Sequence, residues 1–156
     1  MNNDDTPRGA APLPDVIPMT HAESLKINGY TICSPVSGSM RPLIRPHRDS
    51  AVFVPAARVK KYDVVLYRRG GLSIMHRVID VRGDAYVIRG DNSYYSEIVP
   101  RADILGTMQC FYRDETRVAA GNALYQAYAR CWVVLHPALL AYKRLRRLWN
   151  RMRRTL

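Results

Sequence analysis

The sequence predicts a mainly β protein of the barrel or sandwich type, followed by a basic helical region. Two observations carry this prediction. Short runs of β-branched and aromatic residues alternate with Gly, Asp and Pro turns between residues 30 and 113. After Gly121 these turn signals give way to long apolar and basic runs of helical character. A chain of 156 residues is long enough for one core, so we expect a single β body with tails.

The N-terminal part is predicted to be a flexible lead followed by one short helix. Residues 1–19 are polar, acidic and rich in proline, and they lack the basic and apolar segments of a secretory signal. Thr20 and Glu23 have the spacing of a capping box, and Gly29 is a typical residue at a helix end. This pattern predicts a helix over residues 21–28.

The central part is predicted to contain six strands, several of them joined as hairpins. The turn signals are Arg69-Gly70-Gly71 and Arg82-Gly83-Asp84, each between two runs of strand-forming residues. The predicted strands are residues 30–33, 51–54, 62–68, 72–81, 85–89 and a last one within 103–113.

The C-terminal part is predicted to form two helical runs, 122–135 and 138–154, with a break or a kink at His136-Pro137. Apolar side chains recur in the second run at three- and four-residue steps, and they are Tyr142, Leu145, Trp149 and Met152. Arginine and lysine occupy much of the remainder, which is typical of a basic amphipathic helix. The chain is therefore divided into a lead (1–19), a β domain (20–118) and an amphipathic helical region (119–156).

Most of the net positive charge lies in the C-terminal part of the chain. Residues 1–115 carry 15 Lys and Arg against 13 Asp and Glu, whereas residues 116–156 carry nine and none. The body therefore lacks a broad basic face, and we expect no binding of nucleic acid.

For the helical region, an anionic membrane surface or a partner protein is the favoured contact. Packing on the chain's own sheet is the alternative, and a membrane span is disfavoured by four interrupting residues: Gln126, Arg130, His136 and Pro137.

The three cysteines, Cys33, Cys110 and Cys131, are widely spaced and odd in number. They form no Cys-x-x-Cys pair, so the sequence predicts neither a disulfide framework nor a zinc site. No metal or cofactor is expected.

A possible nucleophile lies in the loop after the first predicted strand. Ser37 and Ser39 flank Gly38, which allows a sharp turn, and Pro42 stiffens the exit. Taken alone, a Ser-Gly-Ser sequence is more often a plain turn. The prediction of catalysis therefore depends on whether the chain also contains a base and an acid that could act with it.

A candidate base and two candidate acids follow later in the chain. The alternation of strand 72–81 places His76 on an aliphatic face. A lone histidine there is usually a core residue, but beside a serine the apolar setting keeps the imidazole neutral and able to accept a proton. Asp91 and Glu97 come later, and a carboxylate could orient the ring.

Several motifs in this order extend over residues 30–112. They are Pro35-Val36-Ser37-Gly38-Ser39-Met40-Arg41-Pro42, Arg48-Asp49-Ser50-Ala51-Val52, Tyr62-Asp63-Val64-Val65-Leu66-Tyr67, His76-Arg77-Val78-Ile79 and Arg89-Gly90-Asp91-Asn92. The set resembles the serine peptidases that include type I signal peptidases and the self-cleaving domains of SOS-type repressors. Most bacterial members have a lysine at the position of His76, whereas the archaeal and endoplasmic-reticulum branch has a histidine there.

The resemblance implies a signal-peptidase-like fold and a serine endopeptidase that cleaves a precursor or leader peptide after a small residue. It implies Ser39 as nucleophile, His76 as general base and either Asp91 or Glu97 as orienting acid. Ser37 and the backbone N–H of Ser39 would form the oxyanion hole. Met40, next to the nucleophile, would contribute to substrate binding.

The family's signal peptidases carry an apolar anchor helix, and no such helix precedes Ser39. We therefore expect a cytoplasmic protein. A peripheral location, in which the basic tail attaches the protein to the inner membrane face, is the alternative. The alternative function is a non-catalytic peptide-binding or membrane-adaptor module. The distance between Ser39 Oγ and a ring nitrogen of His76 distinguishes the two.

Overall fold

The structure, a computed structural model, describes residues 19–153, apart from the side chains of Lys143 and Leu148. The predicted flexible lead lies outside the described residues except for Met19. The elements are α1 (His21–Asn28), β1 (Thr31–Cys33), β2 (Ser50–Pro55), β3 (Val64–Arg69), β4 (Leu72–Arg82), β5 (Ala85–Arg89), β6 (Glu97–Pro100), β7 (Ile104–Arg113), β8 (Thr116–Ala119) and α2 (Ala123–Met152).

The eight strands form one antiparallel sheet, which confirms the predicted mainly β class. Their order is β1-β2-β7-β3-β4-β5-β6, and β8 pairs with β7 outside this path. The sheet is open and not closed into a barrel, because β1 and β6 form the two ends of the path. All six predicted strands are present, whereas the four-residue strands β6 and β8 were not predicted.

The predicted N-terminal helix is confirmed as α1. The Thr20 hydroxyl accepts from the backbone N–H of Glu23, whose carboxylate accepts from the Thr20 backbone in return. Gly29 ends the helix at φ 75°, a left-handed conformation that glycine adopts without strain.

Of the predicted break or kink at Pro137, the break is wrong, because α2 is a single helix of 30 residues that continues through this proline. A proline removes one N–H from the helix ladder, and packing on both sides of it can offset that loss. Ala129 and His136 are buried before Pro137, and Leu139 and Leu140 are half-buried after it. The Asn122 side chain caps the first turn. No helix within residues 19–153 combines the length and apolarity that a membrane crossing requires.

The core lies on both faces of the sheet. The side chains of β3 alternate between two buried clusters, one with Val64 and Leu66 and the other with Val65 and Tyr67. The first cluster also takes up Met40 from the loop after β1 and Tyr125 from α2. The loop that carries Ser39 and the first turn of α2 are therefore packed on the same face.

Candidate active site

Ser39 and His76 are brought together across the fold. Ser39 lies in a short 3-10 turn, Gly38–Met40, and His76 lies in the middle of β4. Ser39 Oγ is 3.1 Å from His76 Nε2, although the two residues are 37 positions apart in the chain. A hydroxyl and an imidazole at this distance have the geometry of a nucleophile and its general base.

The Ser39 turn is held from below by its own neighbours. Met40 and Ile44 are fully buried in the first core cluster, and the Arg41 N–H donates to the Gly38 carbonyl. Met40 was predicted to bind substrate, but the structure places its side chain in the core. It faces away from solvent because it is the apolar anchor of the turn, so its contribution is to position Ser39.

The Ser39 turn is also held from the side by Gly90 and Asn92, which follow β5. The Asn92 N–H donates to the Ser39 carbonyl at 2.7 Å, and the Asn92 side-chain amide donates to the Gly38 carbonyl at 3.2 Å. A Cβ at Gly90 would lie 2.7 Å from Ser39 O and 3.0 Å from His76 Cδ2. Glycine is therefore required at this close approach.

His76 is connected to Glu97 through Tyr67, a residue that the sequence analysis did not single out. His76 Nδ1 lies 3.0 Å from the Tyr67 hydroxyl, which donates a short hydrogen bond to Glu97 Oε1. Since the single phenolic proton points to Glu97, the phenolic oxygen accepts from Nδ1–H. The imidazole then carries its proton on Nδ1, and Nε2 is free to accept the proton of Ser39.

A signal for Tyr67 was present in the sequence. The β3–β4 hairpin pairs Val65 with His76, and side chains two apart in a strand share a face. Tyr67 is therefore a diagonal neighbour of His76 on that face. Recognising it would have required the hairpin register as well as the strand pattern.

Glu97 supplies negative charge beside the ring. Its Oε1 is 3.6 Å from His76 Nδ1, and its Oε2 accepts from Arg69 Nη1 at 2.6 Å. Burial together with the bond to Glu97 raises the pKa of Tyr67 well above its ordinary value, which keeps the bridging hydroxyl protonated.

Asp91, the other candidate acid, is engaged elsewhere. Both of its carboxylate oxygens accept from Arg77, at 2.7 Å each, and these two side chains are only 2% and 0% exposed. Because Arg77 is adjacent to His76 in β4, it points to the opposite face, and Asp91 points there with it. Of the two acids left open by the sequence, the structure brings Glu97 and not Asp91 to the Nδ1 side of the ring.

The Arg77–Asp91 pair also connects α2 to the loop that carries Ser39. Arg77 Nη1 donates to the Tyr125 hydroxyl at 3.2 Å, and the Trp132 indole N–H donates to the Asp91 carbonyl at 2.9 Å. Asp91 immediately precedes Asn92, which bonds to the Ser39 turn. The inner face of α2 therefore supports the segment that positions Ser39.

Ser37 lies beside Ser39, and their Oγ atoms are 3.1 Å apart. Both hydroxyls border a groove of about 560 Å³. One wall of the groove is the segment after β1, and the other is the first half of β4, from Leu72 to His76. Apolar side chains line both walls, and they include Cys33, Val36, Ile74 and Met75.

The electrostatics of His76 favour its neutral form. Its side chain is only 14% exposed, and this burial lowers the pKa of the imidazole below the ordinary value of 6.5. The negative charge of Glu97 acts in the opposite direction and raises the pKa. A neutral imidazole near neutral pH is the state that accepts a proton.

If His76 is the general base, kcat/KM should fall as the pH drops through its pKa, below 6.5. The Glu97→Gln substitution removes the charge that raises this pKa, so we expect the acidic limb of the pH–rate profile to move to lower pH. The measurement is kcat/KM for one peptide between about pH 4 and 9, a range that spans histidine titration.

Tyr67→Phe is the matched control for this prediction. It keeps the charge of Glu97 but removes the bridging oxygen, so it should lower kcat while the limb stays closer to the wild-type pH. Movement of the limb to higher pH in Glu97→Gln would contradict the electrostatic role assigned to this carboxylate.

Within residues 19–153 there is no cluster of three or more His, Cys, Asp or Glu side chains that could hold a metal ion. No protein-family model and no curated protein matches the chain.

Proposed function

We propose that this protein is a serine endopeptidase that cleaves a precursor or leader peptide. The observation that supports it most directly is the 3.1 Å separation of Ser39 Oγ and His76 Nε2. The hydrogen bonds at Nδ1 favour the tautomer with its proton on that nitrogen, so Nε2 is the acceptor. A serine nucleophile needs this tautomer.

The reaction follows from these positions. As Ser39 Oγ forms a bond to the scissile carbonyl carbon, its proton passes to His76 Nε2. The resulting imidazolium is stabilised by Glu97, through the Tyr67 hydroxyl and by direct charge attraction. Nε2–H then protonates the leaving amine as the C–N bond breaks. A water molecule, deprotonated by the same nitrogen, releases the acyl group and restores Ser39.

The oxyanion formed in the first step needs donors beside Ser39. The Ser37 hydroxyl is exposed and lies next to the nucleophile, so it can donate to this oxygen together with the Ser39 backbone N–H. This assignment keeps the division of labour that the family resemblance implies for the two serines.

An extended peptide suits the groove. Its walls are the segment after β1 and the first half of β4, and a peptide between them would pass Ser39 and His76. Backbone hydrogen bonds to strand edges and apolar contacts in alternate pockets are the usual means of holding such a peptide. Cleavage after a small residue is the preference that the family resemblance implies.

A peptide library incubated with the full chain tests this proposal. Mass spectrometry of the products measures cleavage. We expect cleavage by the wild type and none by Ser39→Ala. Ser73→Ala is the matched control, because Ser73 lines the same groove but contacts neither His76 nor the nucleophile in the proposed mechanism. Peptide binding without cleavage by the wild type would favour a non-catalytic peptide-binding or membrane-adaptor module and reject the enzyme.

A further inference from the structure

We propose that α2 docks the protein on an anionic membrane surface through an exposed apolar stripe. The stripe consists of side chains that are between 55% and 72% exposed, and these are Val134, Leu135, Tyr142, Leu145, Trp149 and Met152. This inference is independent of the proposed peptidase activity.

The stripe is separate from the face of α2 that packs on the body. Tyr125, Ala129 and His136 are buried, and Trp132 bonds to the loop after β5. Further along, the guanidinium of Arg147 lies 5.2 Å from the centre of the Tyr94 ring. The inner face therefore packs on the body as far as residue 140, and the Arg147–Tyr94 contact continues on the same side. The stripe points away from this side.

Helix geometry makes the stripe continuous. With about 100° between successive residues, its six members fall within an arc of roughly 100°, and they extend over roughly 27 Å of the helix axis. Large apolar side chains rarely line up in water over such a length in a monomer without a function in binding.

The charge around the stripe selects the occupant. Residues 116–156 contain nine Lys and Arg and neither Asp nor Glu. Arg144 and Arg146 are exposed on the same helix. Arg153, the residue that caps its C-terminal end, is also exposed, and its guanidinium lies 5.8 Å from the centre of the Trp149 ring. A second copy of this chain would bring the same positive charge to the stripe and be repelled. A layer of anionic lipid headgroups supplies the opposite charge together with an apolar interior.

Flotation of the full chain with lipid vesicles tests the inference. The wild type should float with vesicles of phosphatidylcholine and phosphatidylglycerol at low salt, and much less with phosphatidylcholine alone. Leu145→Gln/Trp149→Gln removes apolar area without changing charge, so binding should fall by about tenfold or more.

Ile27→Gln/Ile98→Gln is the matched control, since these two side chains are 69% and 64% exposed on the body. This variant should float like the wild type. Circular dichroism of each variant identifies any that fails to fold, and Leu145→Gln alone is then the milder replacement.

A second pair of variants tests the charge. Arg144→Gln/Arg146→Gln should weaken binding to the anionic vesicles by about tenfold or more, because each cation near such a surface contributes roughly 1 kcal/mol. Arg58→Gln/Lys60→Gln removes two exposed cations from the body and should have little effect.

Three results would overturn the inference. One is failure of the wild type to float with anionic vesicles, and another is equal flotation with neutral vesicles. The third is a lipid-free dimer in analytical ultracentrifugation that Leu145→Gln/Trp149→Gln converts to a monomer, because the stripe would then be an interface between two copies.

Discussion

His76→Ala is expected to lower kcat for peptide cleavage by a factor on the order of 10⁴, and adding Ser39→Ala to it should cost little more. The reason is that the two residues act as one unit. Without the base at Nε2, the hydroxyl 3.1 Å away keeps its proton and attacks poorly. Without the hydroxyl, the base has no nucleophile to activate.

The measurement is kcat for the best library peptide in the wild type, both single variants and the double variant. His47→Asn is the control, since His47 is exposed, and asparagine tolerates its positive φ of 59°. Losses that multiply in the double variant would mean that Ser39 and His76 act independently, and the proposed pair would be rejected.

The second large effect is expected from Asp91→Ala, as a loss of stability of about 3–5 kcal/mol. Arg77 and Asp91 are 0% and 2% exposed and share two hydrogen bonds of 2.7 Å. Removing the carboxylate leaves the guanidinium buried without its counter-charge. The midpoint of thermal unfolding should fall by about 10 °C.

Thermal and urea unfolding measure this effect. Asp114→Asn, compared with Asp91→Asn, is the matched control, because asparagine tolerates the positive φ of 54° at position 114. Asp114 also pairs with arginines, but its side chain is 59% exposed, so solvent replaces the lost contact and the change should be much smaller. Asp91→Asn keeps the shape and tests the charge alone. Unchanged stability together with a large loss of kcat would instead make Asp91 the orienting acid of His76.

The Glu97→Gln and Asp91→Ala experiments distinguish the two candidate acids that the sequence left open. Loss of Glu97 should change the pH–rate profile, because its carboxylate is 3.6 Å from His76 Nδ1. Loss of Asp91 should act mainly on folding and on the position of the Ser39 turn. The Asp91 carbonyl bonds to Trp132, and the N–H of the next residue, Asn92, bonds to Ser39. The effects of the two variants should therefore differ in kind.

The site could be predicted in part because some of its features are local. The Ser37–Ser39 turn and the position of His76 in an alternating strand are properties of short segments. The 3.1 Å distance between Ser39 Oγ and His76 Nε2 depends on pairing between segments far apart in the chain. Only the family resemblance predicted that these two residues would be close. Tyr67 was missed because its role depends on the β3–β4 register.

The sequence by itself determined the mainly β class, the α1 capping box, six strands and the concentration of charge in the C-terminal region, because propensity, turn chemistry and composition act locally. Only the tertiary structure decided that α2 continues through Pro137, that Met40 is buried and that Arg77 takes Asp91 to the other face of β4. These outcomes depend on which groups packing brings together, and that depends on pairings between segments far apart in the chain.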